Sequence, residues 1–314
     1  MKAIIKLIIL FSIFAFVFSG CASREQSKSS DKLLVVTSIP PLADFCRNVG
    51  GSYVEVTALV PTGQSVHTFE LRPDQMELIS KADVLVLNGV ELEFWAHKAI
   101  EASGNKDLIV VDTSEKVDII FDETEHEHEK HSDSDVHGHV EDEGCCDHIH
   151  TAGNPHIWLD PVIAKEQVIA IRDAFIKANP NNRDAYIVNA DNYISQLEKL
   201  DKDIREEVSS FTNKNFIAFH SAWVYFAKRY GLNQAAVVME REGVEPSPAE
   251  IKELIDLVKK LDAKAIFAEP QFSPKAAETI ANEAGIKVLF LDPLGENYIE
   301  TMRENIKQMS EAMK

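Results

Sequence analysis

From Lys32 onward, short β-branched runs alternate with stretches of helical pattern, and this rhythm admits few folds. Leu33–Thr37, Tyr53–Val60, Val84–Leu87 and Leu108–Val111 read as strands, separated by predicted helices at Pro41–Val49, Pro73–Lys81 and Leu92–Ala102. The same rhythm returns later. Strands are expected at Phe216–Phe219, Ala235–Met239, Ala265–Ala268 and Val288–Leu291, and helices at Ala222–Tyr230, Pro248–Leu261, Pro274–Ala284 and Tyr298–Met313. Strands that alternate with helices form parallel sheets covered on both faces. The expectation is an α/β protein of two lobes, residues 32–181 and 212–314, each a parallel sheet flanked by helices. Between them, residues 182–211 carry Tyr186, Ala190, Tyr193, Ile194, Leu197, Ile204 and Val208, mostly three or four apart, with no Pro or Gly. At about 1.5 Å per residue, such a helix spans roughly 40 Å and can join the lobes rigidly. A peripheral helix of one lobe is the plainer alternative.

The first residues follow another logic. Met1 to Lys6 is short and basic, and Leu7 to Phe18 is apolar except for Ser12. That core is shorter than the ~20 residues of a membrane span and fits an export signal at 1–20. Phe18-Ser19-Gly20-Cys21 resembles the lipobox of bacterial lipoproteins, in which the Cys becomes the acylated N-terminus; Phe18 replaces the usual Leu. Residues 21–31 are polar and read as a tether, so the mature chain is expected to be exported and held to a bacterial membrane on its extracytoplasmic side. An ordinary signal peptide with an incidental Cys21 is the alternative. Cys46, Cys145 and Cys146 are then left over, an odd count that argues against a disulfide framework.

The net charge is −19, and eleven Asp or Glu against one Lys, a net of −10, lie between Asp122 and His150. Such acidity disfavours nucleic acid, whose phosphates would be repelled. The same segment holds His126, His128, His131, His137, His139, His148 and His150 and almost nothing apolar. It cannot offset its own ordering entropy, so disorder is expected over 122–151, with weak multivalent metal attraction by the imidazoles.

Four sites outside that segment carry the chemistry. His67 lies in a turn-rich loop after a strand, His156 in Asn154-Pro155-His156-Ile157-Trp158-Leu159-Asp160-Pro161 before a helix, His220 at a strand end, and Asp292 at another. Ligands of open α/β sheets gather at the carboxyl ends of strands, so two residues from each lobe can converge in the cleft. Singly, each has a structural reading: a strand-end His can be a hydrogen-bonding residue, and Asp292 can cap the next helix. Glu269, also at a strand end, competes for the fourth position.

Taken in order, Pro61-Thr62-Gly63 with His67-Thr68-Phe69-Glu70-Leu71-Arg72-Pro73, Asn154 to Pro161, Phe219-His220, Ala268-Glu269-Pro270-Gln271-Phe272 and Leu291-Asp292-Pro293-Leu294-Gly295 resemble the metal-binding lipoproteins of ABC transporters, most nearly the zinc-uptake, ZnuA-like branch. The resemblance runs from about Leu33 to Met313 and includes an acidic His-rich insertion. It implies a metal in the interlobe cleft, held by His67, His156 and His220, with Asp292, Glu269 or water as the fourth donor. It also implies delivery of Zn2+ to a membrane permease driven by a cytoplasmic ATPase. Some zinc relatives carry Glu before the first His; Val66 stands there in this chain.

Three imidazoles with one oxygen donor suit zinc, whereas manganese favours more oxygen. A manganese or iron receptor of the same type is the nearest alternative. A zinc hydrolase is the main rival class, but no His-Glu-x-x-His motif is present. An adhesin reading leaves the four strand-end donors unexplained.

Overall fold

The computed structural model describes residues 32–121, 153–240 and 244–314. The expected export signal, Cys21, the tether and the acidic segment 122–151 with its seven His and Cys145–Cys146 lie outside the described residues.

The first lobe contains β1 (Leu33–Thr37), α1 (Pro40–Gly50), β2 (Val54–Ala58), α2 (Pro73–Lys81), β3 (Val84–Leu87), α3 (Ala96–Ser103) and β4 (Ile109–Asp112). Its sheet is parallel throughout, in the order β2-β1-β3-β4. Every residue of β3 is buried, as a central strand covered on both faces requires. Then come α4 (Pro161–Ala178) and α5 (Arg183–Ser209). The second lobe runs β5 (Asn215–Ala218), α6 (Val224–Tyr230), β6 (Asn233–Val237), α7 (Pro248–Lys260), β7 (Ala265–Ala268), α8 (Lys275–Ala284), β8 (Lys287–Phe290) and α9 (Tyr298–Met313). Its sheet repeats the plan as β6-β5-β7-β8, again parallel. In both lobes the chain leaves the first strand on one side and later returns on the other. The carboxyl ends of β1 and β3, and of β5 and β7, therefore flank the crevice where ligands of such sheets bind.

Local sequence explains most boundaries. Ser247 caps α7, accepting from the Glu250 backbone N–H at 3.3 Å while the Glu250 side chain reaches back. Asp160 caps α4, accepting from Val162 N at 2.8 Å, with Pro161 in the first turn. The helix expected from Leu92 begins only at Ala96, because the chain turns first through Gly89, Val90 and Glu91, with φ of 88°, 55° and 56°. The buried Glu93 carboxylate holds that turn, accepting from Asn88 N at 2.8 Å and Gly89 N at 3.1 Å. Burial pushes the Glu93 carboxyl up to about 7.

The connecting helix α5 has 27 residues, slightly fewer than the expected span. It buries Tyr186, Ala190, Tyr193, Leu197, Leu200, Ile204 and Val208 as one stripe. That stripe packs on α1 and α4 of one half and on α9 of the other. Two phenols reinforce it: Tyr193 donates to Asp44 of α1 at 2.7 Å, and Tyr230 of α6 donates to Asp201 at 3.1 Å. The helix is therefore a strut shared by both lobes. Cys46 sits on the buried face of α1, where burial pushes its thiol up and keeps it unreactive.

Replacing Leu197, fully buried on this stripe, by Ala should cost ~2–5 kcal/mol in urea unfolding of the metal-free protein. The same change at Val188, 57% exposed on the opposite face, should stay within about 0.5 kcal/mol.

Candidate metal centre

Each of the three strand- and loop-borne histidines is delivered by a different element. His67 follows β2 on the loop Pro61–Arg72, which Gln75 of α2 steadies by donating to Leu59 O at 2.6 Å. His220 lies just beyond β5, and Glu269 just beyond the neighbouring β7. Parallel register pairs Ala218 with Phe267; extended by two residues, it sets His220 beside Glu269. His156 stands in the short segment before α4, which closes with a 3-10 turn at Ile157–Leu159.

That segment is tied to both lobes. On the first-lobe side, Asn88 at the end of β3 donates to Pro155 O at 2.8 Å, and Asn154 N donates to Ile120 O at 2.8 Å. On the second-lobe side, Asn154 Nδ2 donates to Ser221 O at 2.6 Å, and Tyr225 donates its hydroxyl to Asn154 O at 2.8 Å. Trp158 Nε1 reaches Pro293 O at 2.7 Å, while the Tyr298 hydroxyl donates to Trp158 O, also at 2.7 Å. Arg229 of α6 grips both oxygens of Asp160, at 3.0 and 2.8 Å. His156 is thereby fixed between the two lobes.

The three imidazoles meet. His156 Nε2 lies 3.1 Å from His67 Nε2 and 3.1 Å from His220 Nε2, and one nitrogen from each ring falls within 4.8 Å of the other two. His156 and His220 are buried, and His67 is half-buried. Their far sides are anchored. His156 Nδ1 is 3.0 Å from Asn154 Oδ1, which also accepts from His156 N at 3.1 Å. Because Asn154 Nδ2 is spent on Ser221 O, the atom facing His156 is the carbonyl oxygen, an acceptor. His220 Nδ1 lies 2.6 Å from Glu269 Oε1, also an acceptor. In neutral rings these acceptors place the proton on both Nδ1 atoms and leave the two Nε2 lone pairs facing each other. Lone pairs at such separation repel, and a cation between them turns the repulsion into coordination. Outer acceptors that fix the tautomer in this way are a regular feature of metal-binding His.

The walls are narrow and largely apolar. Val66, Trp158, Phe272, Pro293 and Leu294, with Ser65, Glu269 and Gln271, line a cavity of about 10 Å³ around the rings. Phe272 meets His220 edge-on, with ring centroids 5.4 Å apart, and Trp158 lies 5.2 Å from His156.

Asp292 is placed differently from the histidines. It is not part of the gathered donor set. Its Oδ1 accepts from Gln271 Nε2 at 2.8 Å and from Leu294 N at 2.9 Å, and its backbone exchanges two 2.8 Å bonds with Asn305. It shapes the loop whose Pro293 and Leu294 form the wall. Asn154 was not legible as a site residue; its place two residues before His156 offers the one local signal, a short side chain able to bond back to the following backbone. Gln271 stood only within the Ala268–Phe272 motif, with no role read for it.

Known proteins resemble this chain along most of its length. The chain is 31% identical over 320 residues to the high-affinity zinc uptake system protein ZnuA of Bacillus subtilis, covering 97% of each. It is 30% identical to the zinc-binding lipoprotein AdcA of Streptococcus pneumoniae, over 97% of this chain but only 60% of that longer protein. A crystal structure of ZnuA superposes with a TM-score of 0.78 at 30% identity, covering 90% of this chain and 99% of the other. The family described as zinc-uptake complex component A, periplasmic, matches residues 35–312, and with the paired parallel sheets and the histidine cluster in the cleft, the chain belongs to that family.

Proposed function

We propose that this protein is the capture receptor of a zinc uptake system: it binds Zn2+ outside the cytoplasm and delivers it to the permease of an ABC transporter powered by a cytoplasmic ATPase. The observation that carries this reading is the convergence of one ring nitrogen each from His67, His156 and His220, with the opposite nitrogens of His156 and His220 committed to Asn154 and Glu269. The names borne by the relatives, which refer to zinc binding and zinc uptake, point the same way.

Zinc is favoured over manganese because the donors are nitrogen. Zn2+ takes four ligands without d-electron preference, whereas manganese seeks a site richer in oxygen. His67, His156 and His220 supply three donors. The fourth is Asp292, Glu269 or water; in the present arrangement Asp292 Oδ1 is engaged by Gln271 and Leu294. The small cavity, about 10 Å³, supports capture of an ion over catalysis on an ester or peptide, since a hydrolytic zinc needs an open position beside a substrate. Cys21 is read as the lipid attachment that keeps the receptor at the membrane, and the His-rich segment 122–151 as an auxiliary, weaker collector of metal.

Substituting His156 or His220 by Ala should weaken zinc binding by more than the ~10–100-fold that loss of an outer hydrogen-bond partner costs, with the far-ultraviolet circular dichroism spectrum retained; unchanged affinity would remove the cluster from the reading. Ligation requires neutral imidazole, whose reference pKa is about 6.5. Competition titrations from pH 8 to 5 should therefore show affinity falling steeply as the rings protonate, and a flat profile would count against histidine coordination. Deleting residues 122–151 should remove the weaker stoichiometry in calorimetry and spare the tight site.

A further inference from the structure

Three carboxylates are buried among the described residues: Glu93, Asp160 and Glu269. Two have hydrogen-bond partners on both carboxylate oxygens. Asp160 is gripped by the Arg229 guanidinium and accepts from Val162 N. Glu93 accepts backbone N–H groups on both oxygens. Glu269, 1% exposed, is different. Its Oε1 meets His220 Nδ1 at 2.6 Å, and among the described residues its Oε2 has no hydrogen-bond partner and no Lys or Arg pairs with it. A buried carboxylate with one donor and no fixed cation is costly, and a folded protein keeps such a group only where something compensates it.

We infer that Glu269 is the charge-compensating and positioning residue of the metal site. Its Oε1 turns the His220 Nε2 lone pair toward the ion, and the buried negative charge, which no Lys or Arg among the described residues answers, is answered by the divalent cation itself. This inference rests on the reading of the histidine cluster as the metal site. It makes Glu269 more than a wall residue: three neutral imidazoles alone attract a dication only through their lone pairs, whereas a carboxylate one ring away adds a net attraction that low local polarity strengthens. Glu269 does this from behind His220, since its oxygens are not among the gathered donors. The protein carries the cost while metal-free and recovers it on loading.

The two roles separate by substitution. Glu269→Gln keeps an oxygen able to accept from His220 Nδ1 and deletes the charge; Glu269→Ala deletes both. For the metal-free full chain, Glu269→Gln should raise the melting temperature, because an unanswered charge is gone, while zinc affinity measured by chelator competition falls ~10–100-fold and the zinc-induced rise in melting temperature shrinks. A merely structural residue would instead lower the melting temperature when replaced. In the zinc-loaded protein, the His220 Nδ1–H signal in the NMR spectrum should persist in the Gln variant and disappear in the Ala variant. If wild-type protein binds zinc tightly and Glu269→Gln binds it equally well, or if the Gln variant melts lower without loss of affinity, the role of Glu269 is overturned and the histidine site stands. If the wild-type protein itself lacks tight binding, it is the reading of the cluster that falls.

Discussion

Asn154 is the point on which the site depends. One side chain accepts from His156 Nδ1 and from His156 N, and donates to Ser221 O next to His220. A single amide thus fixes the tautomer of one histidine and ties the segment that bears it to the strand end bearing another. Its backbone is held as well, N–H to Ile120 on one side and C=O to the Tyr225 hydroxyl on the other. Were this residue free to rotate, the lone pairs of His156 and His220 would have no reason to face each other. Neutral imidazoles 3.1 Å apart would otherwise settle into an N–H to N hydrogen bond and quench the donors.

Preorganisation of this kind has an energetic logic. An ion entering the cavity must lose its water, and it is repaid only if the replacement donors are already aimed. The long helix α5, packed against both halves, and the Arg229–Asp160 contact near the His156 segment keep the donors from drifting apart. Burial of the whole assembly behind Trp158, Phe272 and Leu294 lowers the local polarity and strengthens each electrostatic contact. The same burial makes every unanswered polar atom expensive, and the carboxylate of Glu269 is the atom pair where that expense is concentrated. Stability of the empty protein and affinity for the ion are set against each other at this one residue.

The likeness to longer relatives bears on how the fold is used. This chain corresponds to 60% of the length of the streptococcal AdcA protein and to 97% of the Bacillus subtilis ZnuA protein. The region matched by this chain is common ground between the long and the short protein. In this chain the strand order 2-1-3-4 is repeated in both sheets, and each lobe brings its crevice to the same interface, so the cleft is a product of the topology.

Much of this was written locally in the chain. The eight strands, the helices between them and the stripe of α5 follow from periodicity, because a period of two or of 3.6 is a property of neighbours in sequence. The strand-end position of His220 and the loop position of His67 were legible for the same reason, and so was the capping of α7 by Ser247. The late start of α3 was not, since the left-handed turn at 89–91 is imposed by Glu93 from within the core. Which groups back the histidines, and where Asp292 turns its carboxylate, depended on the register of β5 against β7 and on loops brought together from as far apart as Asn154 and Ser221. Hydrogen bonds between residues dozens of positions apart exist only after the sheets have formed, so only the tertiary structure decided them.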